Sequence, residues 1–293
     1  MRLKGKSWAI MALITNAFVW GVSWWPLRLI EQEGLHPLWA TSGAFATVLA
    51  TVTLYRPQLW RVLFSKSTSL GGLWLLAIAS GITNVAFNWA VTVGDVVRVV
   101  LLFYLMPAWA LLLARWLLKE KMSWQGLLRL GLAVAGVLLV LKRADSPWPV
   151  PQSLPDWLAL TGGFTFALTN IFILKLDRST DTERLFVMFA GGTLAAVGVA
   201  TISTWIGSVT TQTQFSWPLL LGVAALGGFF LLGNLAMQYG ASRLKSGTTS
   251  LVMLTEIIFA SLSAVWLGAA VLEARVLWGA LLIFSAALWA AMA

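Results

Sequence analysis

Apolar runs about twenty residues long, such as LGGLWLLAIASGITNVAFNWAVTV over 70–93, constrain this chain more than any other feature. A helix of that length covers the hydrocarbon core of a bilayer, roughly 30 Å at about 1.5 Å per residue. Lipid offers a backbone no hydrogen-bond partner, so each run must bond within itself as a helix or close with others into a barrel. The alternating strands of a barrel are missing. The sequence therefore predicts an all-α integral membrane protein with ten transmembrane helices, over 8–30, 37–55, 70–93, 96–118, 123–141, 156–174, 185–206, 215–239, 246–268 and 274–293. With 59% apolar and 11% charged residues, little is left for an extramembrane domain. The first run follows MRLKGK but is longer than a signal-peptide core and lacks a small-x-small cleavage site, so it is read as a retained helix.

A formal charge of +9 raises the question of nucleic-acid binding, and the placement of the 20 Lys and Arg decides it. With both termini cytoplasmic, one side holds Arg2, Lys4, Lys6, Arg56, Arg61, Lys66, Arg115, Lys119, Lys121, Lys175, Arg178, Arg184, Arg243 and Lys245. The other holds only Arg28, Arg98, Lys142, Arg143 and Arg275, and Arg129 lies inside the fifth span, expected to snorkel to the inner interface. This is the positive-inside asymmetry, so the charge reports orientation and no nucleic-acid partner is expected. Cysteine is absent, and the single histidine, His36, is expected to be a solvated loop side chain. Neither a metal site, nor a cofactor, nor an enzyme's converging nucleophile and base is predicted.

The polar break KRADSPWPVPQSLPD, with prolines at 147, 149, 151 and 155, divides the chain. An N-terminal five-helix repeat is predicted over 1–145, a periplasmic linker over 146–155 and a C-terminal five-helix repeat over 156–293. NWAVTVG and NLAMQYG place Asn88 and Asn234, and Gly94 and Gly240, at one common separation of 146 residues. KEKMSWQG and LEARVLWG likewise align Glu120 with Glu273 and Gly126 with Gly279. An odd number of spans per copy makes the second copy enter from the opposite side, so the two repeats are inverted.

Mid-span polarity follows the same division. Asn16, Asn84, Asn88, Asn170, Asn234, Gln238 and Glu256 are the amides and carboxylates well inside spans. All but Glu256, in span 9, fall in spans 1, 3, 6 and 8, which pair under a five-plus-five repeat. An unpartnered amide in hydrocarbon costs several kcal/mol, so these groups are expected to face one another or a wet central cavity. Helical spacing gives each span a stripe of amides and rings: Asn16 and Trp20 with Trp24 beside them, Asn84 and Asn88, Phe166 and Asn170, and Phe230, Asn234 and Gln238. Trp8, Trp39, Trp60, Trp124, Trp157, Trp217 and Trp278 lie near span ends and suit interfacial belts, while Trp20, Trp24, Trp89 and Trp109 lie deeper. Glu256 reads as a proton site or a site for a substrate amine, or else as a carboxyl bonded to a neighbouring helix. Pro107 should kink span 4, and Gly81, Gly227 and Gly228 permit close approach or bending in spans 3 and 8. Spans 5 and 10, rich in small residues, suit peripheral packing or a weak homodimer face.

LTEIIFASLSAVWLGAAVLEARVLWGALLI and YLMPAWALLLARWLLKEKMSWQGLLRLGLAVAG resemble the drug/metabolite transporter superfamily in its ten-helix EamA-type branch. The tryptophan-rich FVWGVSWWPLR looks like the first helix of the bacterial aromatic amino acid exporters. The family's usual Glu-Pro pair in the fourth helix of a repeat is split here: span 9 keeps Glu256 with Ile257 after it, and span 4 keeps Pro107 with Met106 before it. The resemblance implies a bacterial inner-membrane protein with a cavity lined by helices 1, 3, 4, 6, 8 and 9. It implies alternating-access export of amino acids, or of similar small metabolites, with Tyr104 joining the amides and rings above as lining. An efflux carrier for hydrophobic drugs or cations is the alternative.

Overall fold

The computed structural model describes residues 2–64, 70–117, 119, 123–142, 148, 150–176, 179–209, 216–244, 249, 252–271 and 273–292. Lys66, Glu120, Lys121, Arg143, Arg178 and Lys245, and positions 146, 147 and 149 of the predicted linker, lie outside them. The helices are α1 (Arg2–Val22), α2 (Trp24–Gln32), α3 (Pro37–Tyr55), α4 (Leu70–Val93), α5 (Val96–Phe103), α6 (Met106–Leu117), α7 (Trp124–Leu141), α8 (Leu154–Lys175), α9 (Asp181–Trp205), α10 (Trp217–Ala241), α11 (Thr255–Trp266) and α12 (Ala274–Met292), with a 3₁₀ turn at Pro57–Leu63. Among the described residues there is no strand.

Eight stretches are long and apolar enough to cross a membrane, with α1–α2 and α5–α6 each counting as one, while Thr255–Trp266 and Ala274–Trp289 are shorter apolar helices. The chain is a multi-pass membrane protein. Its helices carry large apolar side chains outward as well as inward, as lipid-facing helices do. Trp8, Trp60, Trp124, Trp157, Trp217 and Trp278, expected at interfaces, are all exposed, whereas Trp39 is half-buried.

Side-chain caps start the helices where a chain turning back into lipid must satisfy its first amides. Ser123, Ser153 and Ser216 accept from the third amide beyond them, and Thr180 with Glu183 completes a capping box. His36 does the same for α3, its Nδ1 accepting from the Leu38 amide at 3.2 Å while its ring packs edge-on against Trp89. The expectation of a solvated histidine is therefore corrected: the ring is half-buried, and burial holds its pKa below the usual value.

Packing joins the two ends of the sequence. α4 lies on α8 and α9, and α10 lies on α1 and α3. α5 and α6 pack on α8 as α11 packs on α1, while α3 meets α9, α7 meets α12 and α5 meets α11. An exchange of the two halves of the sequence maps these contacts onto one another, whereas α2 on α4, α3 on α4, α4 on α5 and α6 on α7 have no comparable counterpart among the described residues of the second half. The glycines obey that exchange. A Cβ at Gly81 would stand 2.5 Å from the Gly191 carbonyl oxygen on α9, and one at Gly227 would stand 2.5 Å from that of Ala44 on α3. Gly94 abuts Pro155 at the start of α8, and Gly240 abuts Leu13 and the Ala9 carbonyl on α1. Gly81, Gly227 and Gly240 let helices touch backbone to backbone, a contact any side chain would prop open, while Gly94 makes room for the Pro155 ring. α4 and α10 run unbroken through Gly81, Gly227 and Gly228, and Gly228 has open space beside it.

Among the described residues, three helical stretches are interrupted. The first predicted span breaks at Ser23, three residues before Pro26, and the fourth at Tyr104–Leu105, just before Pro107. α11 begins after a turn at Leu254, with no proline nearby to cause it. Freed backbone groups at a break need new partners, and the Met253 carbonyl at the break before α11 finds one in the side chain of Tyr104.

Candidate functional site

Rings from both halves of the chain form one continuous path through the interior. Phe189 of α9 meets Phe45 of α3 at 5.2 Å between centroids, and Phe45 meets Phe230 of α10 at 5.5 Å. Trp20 of α1 stacks on Phe230 at 5.1 Å with 19° between planes, then turns its other contact to Phe87 of α4 at 6.2 Å. Phe87 leads to Phe103 of α5 at 4.8 Å, and Phe103 to Phe166 of α8 at 5.6 Å and to Tyr104 at 6.3 Å. Such pairs contribute about 0.5–1.5 kcal/mol each beyond their buried area.

The polar end of the path lies where the two helix breaks meet. Tyr104 is 1% exposed and Glu256 is 6% exposed. The Tyr104 hydroxyl stands 2.9 Å from the Met253 carbonyl oxygen and 3.0 Å from Glu256 Oε2. Met253 also takes a hydrogen bond on its sulfur from Asn16 Nδ2 at 3.2 Å. Asn16, Tyr104, Met253 and Glu256 thus form one cluster from three spans. Asn16 Oδ1 is buried and accepts nothing from the described residues. Neither is Glu256 ion-paired with any described cation.

Of the other sequence-predicted residues, Asn88 is fully buried, donating to Thr41 Oγ1 at 3.3 Å and leaving its Oδ1 without a donor among the described residues. Trp24 is buried and donates to Ser263 Oγ of α11 at 3.0 Å. Asn84 and Asn234 are half-buried and bond the carbonyls of Ser80 and Phe230 one turn back in their own helices. Gln238 is half-buried, and Asn170 is exposed on α8. A cavity of about 260 Å³ lies between α6, α7 and α12, and of the predicted residues Tyr104 and Pro107 line it, beside Arg129.

Several participants were invisible in the sequence. Phe45, Phe87, Phe103 and Phe189 look like any apolar residue in an apolar run. Met253 matters for its sulfur and its carbonyl, which no pattern marks. The Thr83–Thr165 hydroxyl pair at 2.8 Å joins α4 to α8, and mid-span threonines facing a neighbouring helix were its only sequence signal.

A second polar group closes the end of the bundle where the prolines lie. Arg98, at the start of α5, forks onto Asp156 of α8, Nε to Oδ1 at 2.6 Å and Nη2 to Oδ2 at 3.0 Å. It also donates to the Val140 and Leu141 carbonyls at the end of α7. Arg28 of α2 donates to the Thr92 carbonyl at 2.8 Å and to those of Val91 and Gly94, capping the end of α4, with its guanidinium over the Trp24 ring. Opposite charges opening spans 4 and 6 on one side were the legible signal for the Arg98–Asp156 pair.

Comparison with known proteins agrees with this architecture. Residues 7–142 match the EamA-like transporter family. The match supports the drug/metabolite transporter superfamily and, with it, a carrier of small molecules. The chain also aligns with a solved chain described as "Crystal structure of protein", at a TM-score of 0.55 and 18% identity, over 97% of this chain and 96% of that one. That likeness is one of fold. No curated protein matches the chain.

Proposed function

We propose that the protein exports amino acids, neutral and aromatic ones among them, or closely similar metabolites, across a bacterial inner membrane by alternating access. In this reading ten spans form two inverted five-helix repeats, 1–145 and 156–293 joined by a periplasmic linker at 146–155, with both termini cytoplasmic. The exchange of packing partners between halves and the matched roles of Gly81 and Gly227, and of Gly94 and Gly240, support the repeat.

The observation that carries the functional reading is the ring path ending on the buried Tyr104–Glu256 pair. An amino acid has one apolar or aromatic end and one end rich in donors and acceptors. Trp20, Phe87 and Phe230 supply faces for the first, and the free acceptor oxygens of Asn16 and Asn88 suit an ammonium group. Asn84, Tyr104, Phe166, Asn234 and Gln238 complete the lining and Trp24 braces α11, while the exposed Asn170 lies away from it. Glu256 holds the exchangeable proton. The helix breaks at Tyr104 and Leu254 are where the two halves rock. Counterflow of labelled threonine, methionine and phenylalanine into proteoliposomes tests the substrate class, and absence of counterflow with every amino acid would remove it. A carboxyl beside aromatic faces also suits a hydrophobic cation, so resistance to such drugs on overexpression, with amino acid tolerance unchanged, would favour an efflux carrier.

A further inference from the structure

The Tyr104 hydroxyl has one proton and two acceptors in reach, the Met253 carbonyl and Glu256 Oε2. Both contacts are hydrogen bonds at once only when Glu256 carries a proton: the carboxyl then donates to the tyrosine oxygen, and the tyrosine donates to the Met253 carbonyl. When Glu256 gives its proton to water, the carboxylate is an acceptor alone. The tyrosine proton must then turn to the charged group, the stronger acceptor of the two. The Met253 carbonyl is left without that donor, at the helix break and in the same residue whose sulfur holds Asn16.

No other described charge takes over this task. From α1 the group presented is Asn16, and from α5 and its turn it is Tyr104. Arg28 is bound to carbonyls ending α4, Arg98 is bound to Asp156, and Arg129, across the cavity that Tyr104 also lines, donates its Nε to the Gln125 carbonyl at 3.2 Å.

We infer that Tyr104 converts loss or gain of the Glu256 proton into release or capture of the Met253 carbonyl, so that the break before α11 and the Asn16 amide respond to proton exchange. The inference rests on the transport reading for its purpose and stands on the four-residue cluster for its chemistry. Only one proton leaves or enters, at the Glu256 carboxyl, and the tyrosine proton reorients without transfer.

The test needs no substrate. Infrared difference spectra between acid and alkaline buffer are recorded on the reconstituted full chain, with carbonyl-labelled methionine and with Met253→Leu to assign the Met253 band. The wild type should show a protonated carboxyl band at acid pH that Glu256→Gln lacks, together with a shift of the Met253 carbonyl band to higher frequency at alkaline pH. Tyr104→Phe should keep the carboxyl band and lose the carbonyl shift. Survival of that shift in Tyr104→Phe, or a wild-type carboxyl band that persists in Glu256→Gln, would overturn the inference. Tyr104→Trp, which restores a donor to a ring of different reach, should leave the shift lost. Failure of amino acid counterflow would strike the substrate reading and leave these spectra unchanged.

Discussion

Asp156 and Glu256 are both buried carboxyls on helices of the second half, and they are held in opposite ways. Asp156 is gripped by the fork of Arg98 and also accepts from the Gln152 amide at 3.2 Å. Glu256 faces a phenol and, among the described residues, no cation. A charge out of water is tolerated when a partner of opposite charge and several donors replace the solvent. The first acid is therefore a fixed strut, joining α5, α7 and α8. The second sits where it can be charged only by drawing on a neighbour's proton, which suits exchange and not anchoring. One chain thus holds the same functional group against a cation at one end and against a phenol in its interior.

The contrast predicts unequal damage. Arg98→Ala should be worst, since it strands the Asp156 carboxylate and the last carbonyls of α7, and breaking a buried pair costs about 3–5 kcal/mol. Thermal unfolding in detergent checks it, and pairing it with Asp156→Leu should recover much of the loss. Arg28→Met keeps an apolar stem over Trp24 and removes the donors that cap α4, for a loss of about 1.5–3 kcal/mol by the same measurement.

His36→Ala should cost about 1 kcal/mol through the lost cap on α3. The cap needs a neutral ring, because Nδ1 is the acceptor. With the folded pKa below the unfolded one, its stabilisation is complete above about pH 6.5 and fades as pH falls through the lower folded value. Unfolding of wild type and His36→Asn, compared at neutral pH and near pH 5, should show an acid-dependent loss only in the wild type. Glu256→Gln should be mildest, within about 1 kcal/mol, because a neutral side chain of the same shape can still donate to Tyr104.

Much of this was legible before coordinates. Run length gave the helices, and the glycines whose spacing suggested two repeats, Gly94 and Gly240, both sit at close helix approaches. Pro107 marked one helix break, Trp20, Phe230 and Glu256 were singled out by polarity or ring in an apolar setting, and Tyr104 entered only with the family resemblance. The break at Leu254 left no trace in the sequence: no proline or glycine marks it, and the Tyr104 hydroxyl reaches the Met253 carbonyl beside it only once α5 and α11 have met. The fates of the amides were equally hidden. Asn88 and Asn234 occupy matching places in the sequence, yet Asn88 is buried against Thr41 while Asn234 bonds its own helix, since the side chains opposite them differ. A pattern marks positions. Which of them acquire partners depends on the residues that arrive from elsewhere.

Flux of a labelled amino acid through proteoliposomes, with and without a pH gradient, tests the role of Glu256 most directly. Wild-type flux should change several-fold when the gradient is imposed, and Glu256→Gln should carry counterflow at one rate in both conditions. A Glu256→Gln protein whose flux still follows the gradient as the wild type does would contradict the account.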